Sequence, residues 1–177
     1  EIGAFAFSGC YSLANIEIPD SINKIKFGTF QYCHLTIIEI PDSVTEIEGG
    51  VFIDCRLLKS IKIPNSVTEI GEYSFKNCTS LTSIELPESI TCISRKCFYG
   101  SQLMSIYVHE KIEKIEASAF NDCPIEYYSV SERNPCFIQE DGVLFNKQKT
   151  KLIKYPIKKN VDSYQIPESV EYLGNYA

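Results

Sequence analysis

Residues 64–90 read PNSVTEIGEYSFKNCTSLTSIELPESI, and the phrase ends by restarting: Pro64-Asn65-Ser66-Val67 returns as Pro87-Glu88-Ser89-Ile90. The period is 22 to 23 residues, as in the steps from Ile25 to Ile47 and from Ile47 to Ile70. Ile2, Ile25, Ile47, Ile70, Ile93 and Ile115 each precede a Phe by five residues, at Phe7, Phe30, Phe52, Phe75, Phe98 and Phe120. Three residues after the Phe stand Cys10, Cys33, Cys55, Cys78 and Cys123, with Ser101 as the exception. A Leu and an Ile-x-Ile-Pro or Ile-x-Leu-Pro phrase follow, as in Leu58…Ile61-Lys62-Ile63-Pro64 and Leu81…Ile84-Glu85-Leu86-Pro87.

A fixed phase kept over six copies implies one structural unit per copy. A single copy holds too few apolar side chains to offset the conformational entropy of ordering it, so neighbouring copies must stack and share a core. The alternation Ile-x-Ile closed by Pro predicts a short strand with its middle residue outward, ended by a residue that lacks an N–H for the ladder. Val67-Thr68-Glu69-Ile70 predicts a second extended piece on the opposite wall, and Glu72–Asn77 a tight helical turn that drives Phe75 inward. The expected fold is a β-rich, right-handed solenoid of 22–23-residue coils, with short strands on both walls and short helical turns.

The column pattern L-x-x-I-x-[IL]-P-x-S-[VI]-x-x-I-x-x-x-x-F-x-x-C resembles the BspA-like, or Treponema pallidum type, leucine-rich repeat class of surface proteins. The resemblance covers residues 1–131 and resumes at 166–177. It implies a non-enzymatic binding module, of adhesin type, secreted or at the cell surface, with a protein or extracellular-matrix macromolecule as partner. An intracellular leucine-rich repeat scaffold for protein–protein contacts is the alternative, compatible with reduced Cys columns.

Between residues 131 and 167 the phase is interrupted. Val143–Phe145 and Lys151–Tyr155 flank the polar run Asn146–Thr150 and predict a β-hairpin with a five-residue connection. Residues 132–165 are therefore expected as an irregular coil with a hairpin insert inside one domain, 1–177, and comparable DGVLF…L-x-x-YP hairpins recur in BspA-like arrays. The lysines of the insert, Lys147, Lys149 and Lys151, are either a solvated tip or a basic contact. Both ends of the sequence fall inside a coil, which predicts an excerpt of a longer array and leaves end-to-end association through uncapped termini open.

Composition narrows the function classes. The chain of 177 residues has 23 acidic against 17 basic residues, a net charge of −6, which argues against nucleic acid as a partner. No apolar run reaches the roughly 18 residues of a membrane-spanning helix. Eight Cys are present, and Cys10, Cys33, Cys55, Cys78 and Cys123 read as a structural ladder beside the Phe column rather than as nucleophiles. Cys97 should point inward and Cys92 outward, which separates them, and His34 and His109 lie three coils apart. No metal site, cofactor site or catalytic constellation is therefore expected. The Ser column, Ser21, Ser43, Ser66, Ser89 and Ser169, reads as turn-forming hydroxyls, and Asn77-Cys78-Thr79 is a lone glycosylation sequon.

Recognition is expected on the strand face. Its outward columns run Glu17, Glu39, Lys62, Glu85, Tyr107, Ser129 and Asn15, Ile37, Ser60, Ser83, Ser105, Tyr127. Lys62, Ser83, Glu85, Met104, Tyr107 and Tyr127 are the candidate ligand-binding residues, with Met104, Tyr107 and Tyr127 forming an aromatic patch beside the insert or packing against it.

Overall fold

The structure is a computed structural model describing residues 1–177. In chain order its strands are β1 (Lys24–Ile25), β2 (Ile37–Glu39), β3 (Glu46–Ile47), β4 (Ser60–Lys62), β5 (Glu69–Ile70), β6 (Cys92–Ile93), β7 (Ser105–Val108), β8 (Lys114–Ile115), β9 (Tyr127–Val130), β10 (Phe137–Glu140), β11 (Val143–Asn146), β12 (Lys151–Lys154) and β13 (Tyr172–Leu173). The coils form a β-solenoid of about seven turns. One wall carries the parallel pairs β2–β4 and β7–β9, the other β1–β3–β5 and β6–β8. Registers match the repeat columns: Ile38 faces Ile61, Ile47 faces Ile70, Ile93 faces Ile115 and Ile106 faces Tyr128.

The third side of each coil is the segment around the Phe, and here the expected helical turn is absent. Residues two before and two after each Phe have positive φ: Phe5 and Gly9, Gly28 and Tyr32, Gly50 and Asp54, Tyr73 and Asn77, Lys96 and Gly100, Ser118 and Asp122. A helix would spend every N–H on its own carbonyls. Left-handed residues four apart instead release every second N–H sideways. Phe30 donates to the Val51 carbonyl, Phe52 to Ser74 and Phe75 to Cys97, at 2.8 to 3.0 Å, while Cys33, Cys55 and Cys78 close turns onto the Phe carbonyls of their own coils. Of 82 backbone hydrogen bonds only 16 lie within strands, and the corner bonds continue the inter-coil ladder outside them.

This geometry drives each Phe inward, as expected, and stacks it on the next. Phe7, Phe30, Phe52, Phe75, Phe98 and Phe120 form a column with ring centroids 5.4 to 5.7 Å apart and planes within 16°. Each such pair adds about 0.5–1.5 kcal/mol to the burial of the rings. Beside it, the Cys thiols donate to the Phe carbonyl of the preceding coil: Cys33 to Phe7, Cys55 to Phe30, Cys78 to Phe52 and Cys123 to Phe98, at 2.9 to 3.2 Å. The slot needs a small side chain with a donor, which is why Ser101 fits it, touching the Cys123 sulfur at 3.3 Å.

The Ser hydroxyls also act between coils. Ser43 donates to the Ile22 carbonyl at 2.6 Å, Ser89 to Val67 at 2.5 Å and Ser169 to Lys149 at 3.0 Å. Salt bridges repeat the same vertical step, as in Lys24–Glu46, Arg95–Glu72 and Lys111–Glu88.

The insert is a meander of three strands rather than one hairpin. β11 and β12 pair antiparallel as expected, with residues 147–150 between them, but β10 pairs with β11 as well. Asp141 and Gly142, both at positive φ, make the two-residue turn of that first hairpin. The turn is docked, since the Tyr128 N–H donates to the Gly142 carbonyl at 2.8 Å and a side chain at position 142 would meet the Tyr127 Cβ at 2.8 Å. β12 then pairs in parallel with β13, Leu152 beside Leu173, so the chain re-enters the second wall. The meander thus occupies the corner where other coils use Pro-x-Ser.

Asn134 holds that detour in place. Fully buried, it donates to the His109 and Ile112 carbonyls at 2.7 and 2.9 Å and accepts from the Cys136 and Phe137 N–H groups at 2.8 Å. Lys154, also buried, ties β12 to the neighbouring coils by donating to Asn121 Oδ1 at 2.8 Å and to the Tyr176 carbonyl. Burial pushes this ammonium below its ordinary value. The Phe column ends here: the residue five beyond Leu152 is Ile157, 65% exposed, and Tyr128 closes the stack edge-on against Phe120.

Truncating the fully buried Phe75 to Ala should cost about 3–5 kcal/mol, whereas Phe7→Ala, at the half-buried end of the stack, should cost clearly less. Urea unfolding of the two variants checks the order. Burial raises Cys33 and Cys123 to about 11 and Cys55 to about 12, and pushes Cys78 and Cys97 up as well. A thiol reagent should therefore reach Cys10, Cys92 and Cys136 in the native protein and all eight only after unfolding.

His109 sits in the Pro column, buried, with Nδ1 accepting from the Lys111 N–H at 3.3 Å and Nε2 unpartnered. Burial lowers its pKa from 6.5, outweighing the attraction of Glu88. The folded state thus favours neutral imidazole: this stabilisation is complete above the unfolded value and is lost as pH falls through the lower folded value. Between pH 7.5 and 5 the wild type should lose more thermal stability than His109→Gln, measured by circular dichroism melts.

Candidate functional site

The strand wall is where outward side chains are in regular columns. Lys62, Ser83 and Glu85, from successive coils, line one open groove of about 600 Å³ together with Asp42, Ser60 and Asn65. The groove lies where strand pairing stops: β4 pairs with β2, and Ser83–Glu85 in the next coil forms no strand. Lys62 is ion-paired with Glu39 across the β2–β4 ladder. A second groove, lined by Glu17, Asp20, Glu39, Asp42 and Lys62, continues toward the first coil, so this half of the wall is acidic with one paired lysine.

The other half is aromatic. Met104, Tyr107 and Tyr127 are 46%, 56% and 51% exposed. Tyr107 lies opposite Ser129 and Tyr127 opposite Ser105, which sets the two rings on a diagonal of adjacent strands. The Glu126 N–H donates to the Met104 carbonyl at 2.8 Å, placing Met104 beside them. The Asp141-Gly142 turn supports the Tyr127 backbone from one side and leaves half of its side chain free. The structure therefore gathers the six candidate residues into two neighbouring zones, a polar groove and an aromatic patch.

Ile37, one column over and 60% exposed, belongs to the same face. Its signal in the sequence is an aliphatic residue in a column otherwise filled by Asn, Ser and Tyr.

The remaining chemistry-bearing residues do not converge. No three His, Cys, Asp or Glu side chains cluster in a way that could hold a metal ion. Cys97 is buried and Cys92 is half-buried, paired opposite Lys114 across β6–β8. His34 packs edge-on against Tyr11, far along the solenoid from His109. The insert lysines are engaged internally: Lys147 donates to the Asn134 carbonyl at 2.8 Å, Lys149 pairs with Glu140 at 2.6 Å and Lys151 lies 5.0 Å from the Tyr172 ring centre. Asn77, in the sequon, has positive φ and directs its amide to Asp54. No helix of the protein is long and apolar enough to cross a membrane.

Residues 1–126 match the BspA type Leucine rich repeat region, in six copies. No curated protein matches the chain. The crystal structure of a leucine-rich repeat protein from Eubacterium ventriosum is 29% identical, with a TM-score of 0.75, over 85% of this chain and 41% of that one. The pneumococcal vaccine antigen PcpA is 26% identical, with a TM-score of 0.53, over 86% of this chain and 33% of its own. The T. pallidum leucine-rich repeat protein is 27% identical, with a TM-score of 0.57, over 72% of this chain and 64% of its own. The chain thus spans less than two thirds of each of these proteins. The match spans residues 1–126, which hold the stacked coils up to the last strand before the insert, and the chain belongs to the BspA-type leucine-rich repeat family.

Proposed function

We propose that residues 1–177 act as one non-enzymatic repeat domain, into which residues 132–165 are spliced, that binds a protein or extracellular-matrix macromolecule through its strand wall. The observation that carries this reading is the exposed pair Tyr107 and Tyr127 on adjacent strands, with exposed Met104 immediately before β7. Tyrosine and methionine are enriched at recognition surfaces, and rigid strands hold them at low entropic cost. The groove of Lys62, Ser83 and Glu85 supplies polar contacts next to this anchor, and the acidic wall beyond it favours a basic partner.

Membership in the BspA-type family and the likeness to a pneumococcal vaccine antigen support a secreted or cell-surface setting. Cys33, Cys55, Cys78 and Cys123, buried and free of disulfides, are equally at home in a reducing compartment, which keeps an intracellular scaffold as the second reading. Tagging the native gene product and fractionating the cells that make it separates the two: surface or medium location supports the first, a cytosolic pool the second.

Binding to a panel of immobilised extracellular-matrix proteins tests the face. Saturable binding should weaken at least tenfold, about 1.4 kcal/mol, in Tyr107→Ala/Tyr127→Ala, with the melting temperature unchanged. If the double variant unfolds instead, the rings serve packing; if it folds and binds like wild type, the patch is not the site.

A further inference from the structure

A second cluster lies on the outside of the turn wall, away from the strand face. There coil four presents Tyr73 and Lys76 and coil five presents Lys96 and Tyr99, all four partly exposed. In the repeat frame Tyr73 stands over Lys96 and Lys76 over Tyr99, a checkerboard of two rings and two ammonium groups. Lys76 Nζ lies 5.9 Å from both ring centres and Lys96 Nζ 5.6 Å from both. Arg95 adds a third cation, 5.6 Å from the Tyr73 ring.

Two of these three cations carry no carboxylate partner. Arg95 is paired with Glu72 at 2.8 Å, but neither Lys76 nor Lys96 forms an ion pair, although both are drawn to the same two rings. Two like charges are thus held close by ring faces alone, on a chain whose net charge is −6. The flanking coils carry Gly50 and Ile53 on one side and Ser118 and Asn121 on the other, so no further lysine or tyrosine extends the group. The backbone adds a separate observation. Tyr73 and Lys96 occupy positive-φ positions, at 61° and 53°, that glycine fills in coils two and three. Two large side chains are retained, in adjacent coils, where the backbone disfavours any.

From this geometry we infer that Tyr73, Lys76, Lys96 and Tyr99 form a binding site for a sulfated saccharide chain. The lysines neutralise its charged groups, and the tyrosine rings and hydroxyls meet its C–H faces and hydroxyls. The carboxylates of Glu72 and of Asp122, which lies beside the Tyr99 hydroxyl, accept sugar hydroxyls. The same carboxylates would repel an acidic peptide, which brings no hydroxyls to them. Successive coils stand about 4.8 Å apart, so a chain laid along the solenoid axis meets one lysine per coil.

The test uses the 177-residue protein, a heparin-derived oligosaccharide of defined length, its desulfated form and poly-glutamate, with calorimetry as the readout. The sulfated sugar should bind saturably and more weakly as salt rises. Lys76→Gln/Lys96→Gln should lose at least tenfold in affinity, while Lys147→Gln/Lys149→Gln and Tyr107→Ala/Tyr127→Ala should not. Binding by wild type should also shift the backbone amide resonances of residues 73–77 and 95–100, a readout that needs no variant. Absence of binding, equal binding of the desulfated sugar or of poly-glutamate, or resonance shifts confined to the strand wall overturns the assignment. Because the strand-face variant is carried in parallel, failure of this site and failure of the strand-wall reading give different results.

Discussion

Every coil must pass backbone hydrogen bonds to the next at each corner as well as along its strands, and the placement of left-handed residues two before and two after the Phe makes this happen. It turns a six-residue corner into a ladder. The same placement turns the Phe side chain to the axis, exposes its carbonyl to the thiol of the following coil and leaves the residue after it partly exposed. Strands of two to four residues, such as β1 or β5, are too short to specify a register by themselves. The corner ladder and the ring column supply what they lack.

This organisation explains why polar side chains in the interior carry so little chemistry. Thiols, most column hydroxyls and the Asn134 amide lie where a carbonyl of the neighbouring coil needs a second donor, while the buried Ser66 Oγ has no partner. Their function is spent in the stack. Variation accumulates instead on outward columns, where successive coils place unrelated residues side by side, and binding surfaces of a solenoid are composed by that juxtaposition rather than by any local motif.

Much of this was legible in the residues. The period, the two strand walls, the inward Phe and the divergence of Cys92 from Cys97 follow from phase, because an apolar residue repeated at one position has one place to go. The corner conformation was not legible: Tyr73 and Lys96 sit where glycine would have announced positive φ, so Glu72–Asn77 reads as helical and the outward pairing of Lys76 with Tyr99 is hidden. Asp141-Gly142 did carry a turn signal, and it marks the first hairpin of the meander; without that reading β10 is lost within an irregular coil. Asn134 carries no pattern at all, since its role depends on carbonyls 22 and 25 residues away. At the strand face the columns were readable, but the gap in pairing at Ser83–Glu85 that opens the groove was not.

The detour through the insert gives the array a seam. In a stack held by nearest-neighbour contacts, cooperativity extends only as far as the coupling between adjacent units. Up to Phe120 that coupling is uniform: ring on ring, thiol on carbonyl, corner on corner. Beyond it the ring column stops, and Asn134, Lys154 and the β12–β13 pair carry the connection. Under tension applied along the solenoid, such a joint yields before the uniform coils do, as a perforation decides where a sheet of paper tears. The aromatic patch of Tyr107 and Tyr127 lies beside that joint, so a load applied at the patch is delivered where the stack changes its mode of coupling.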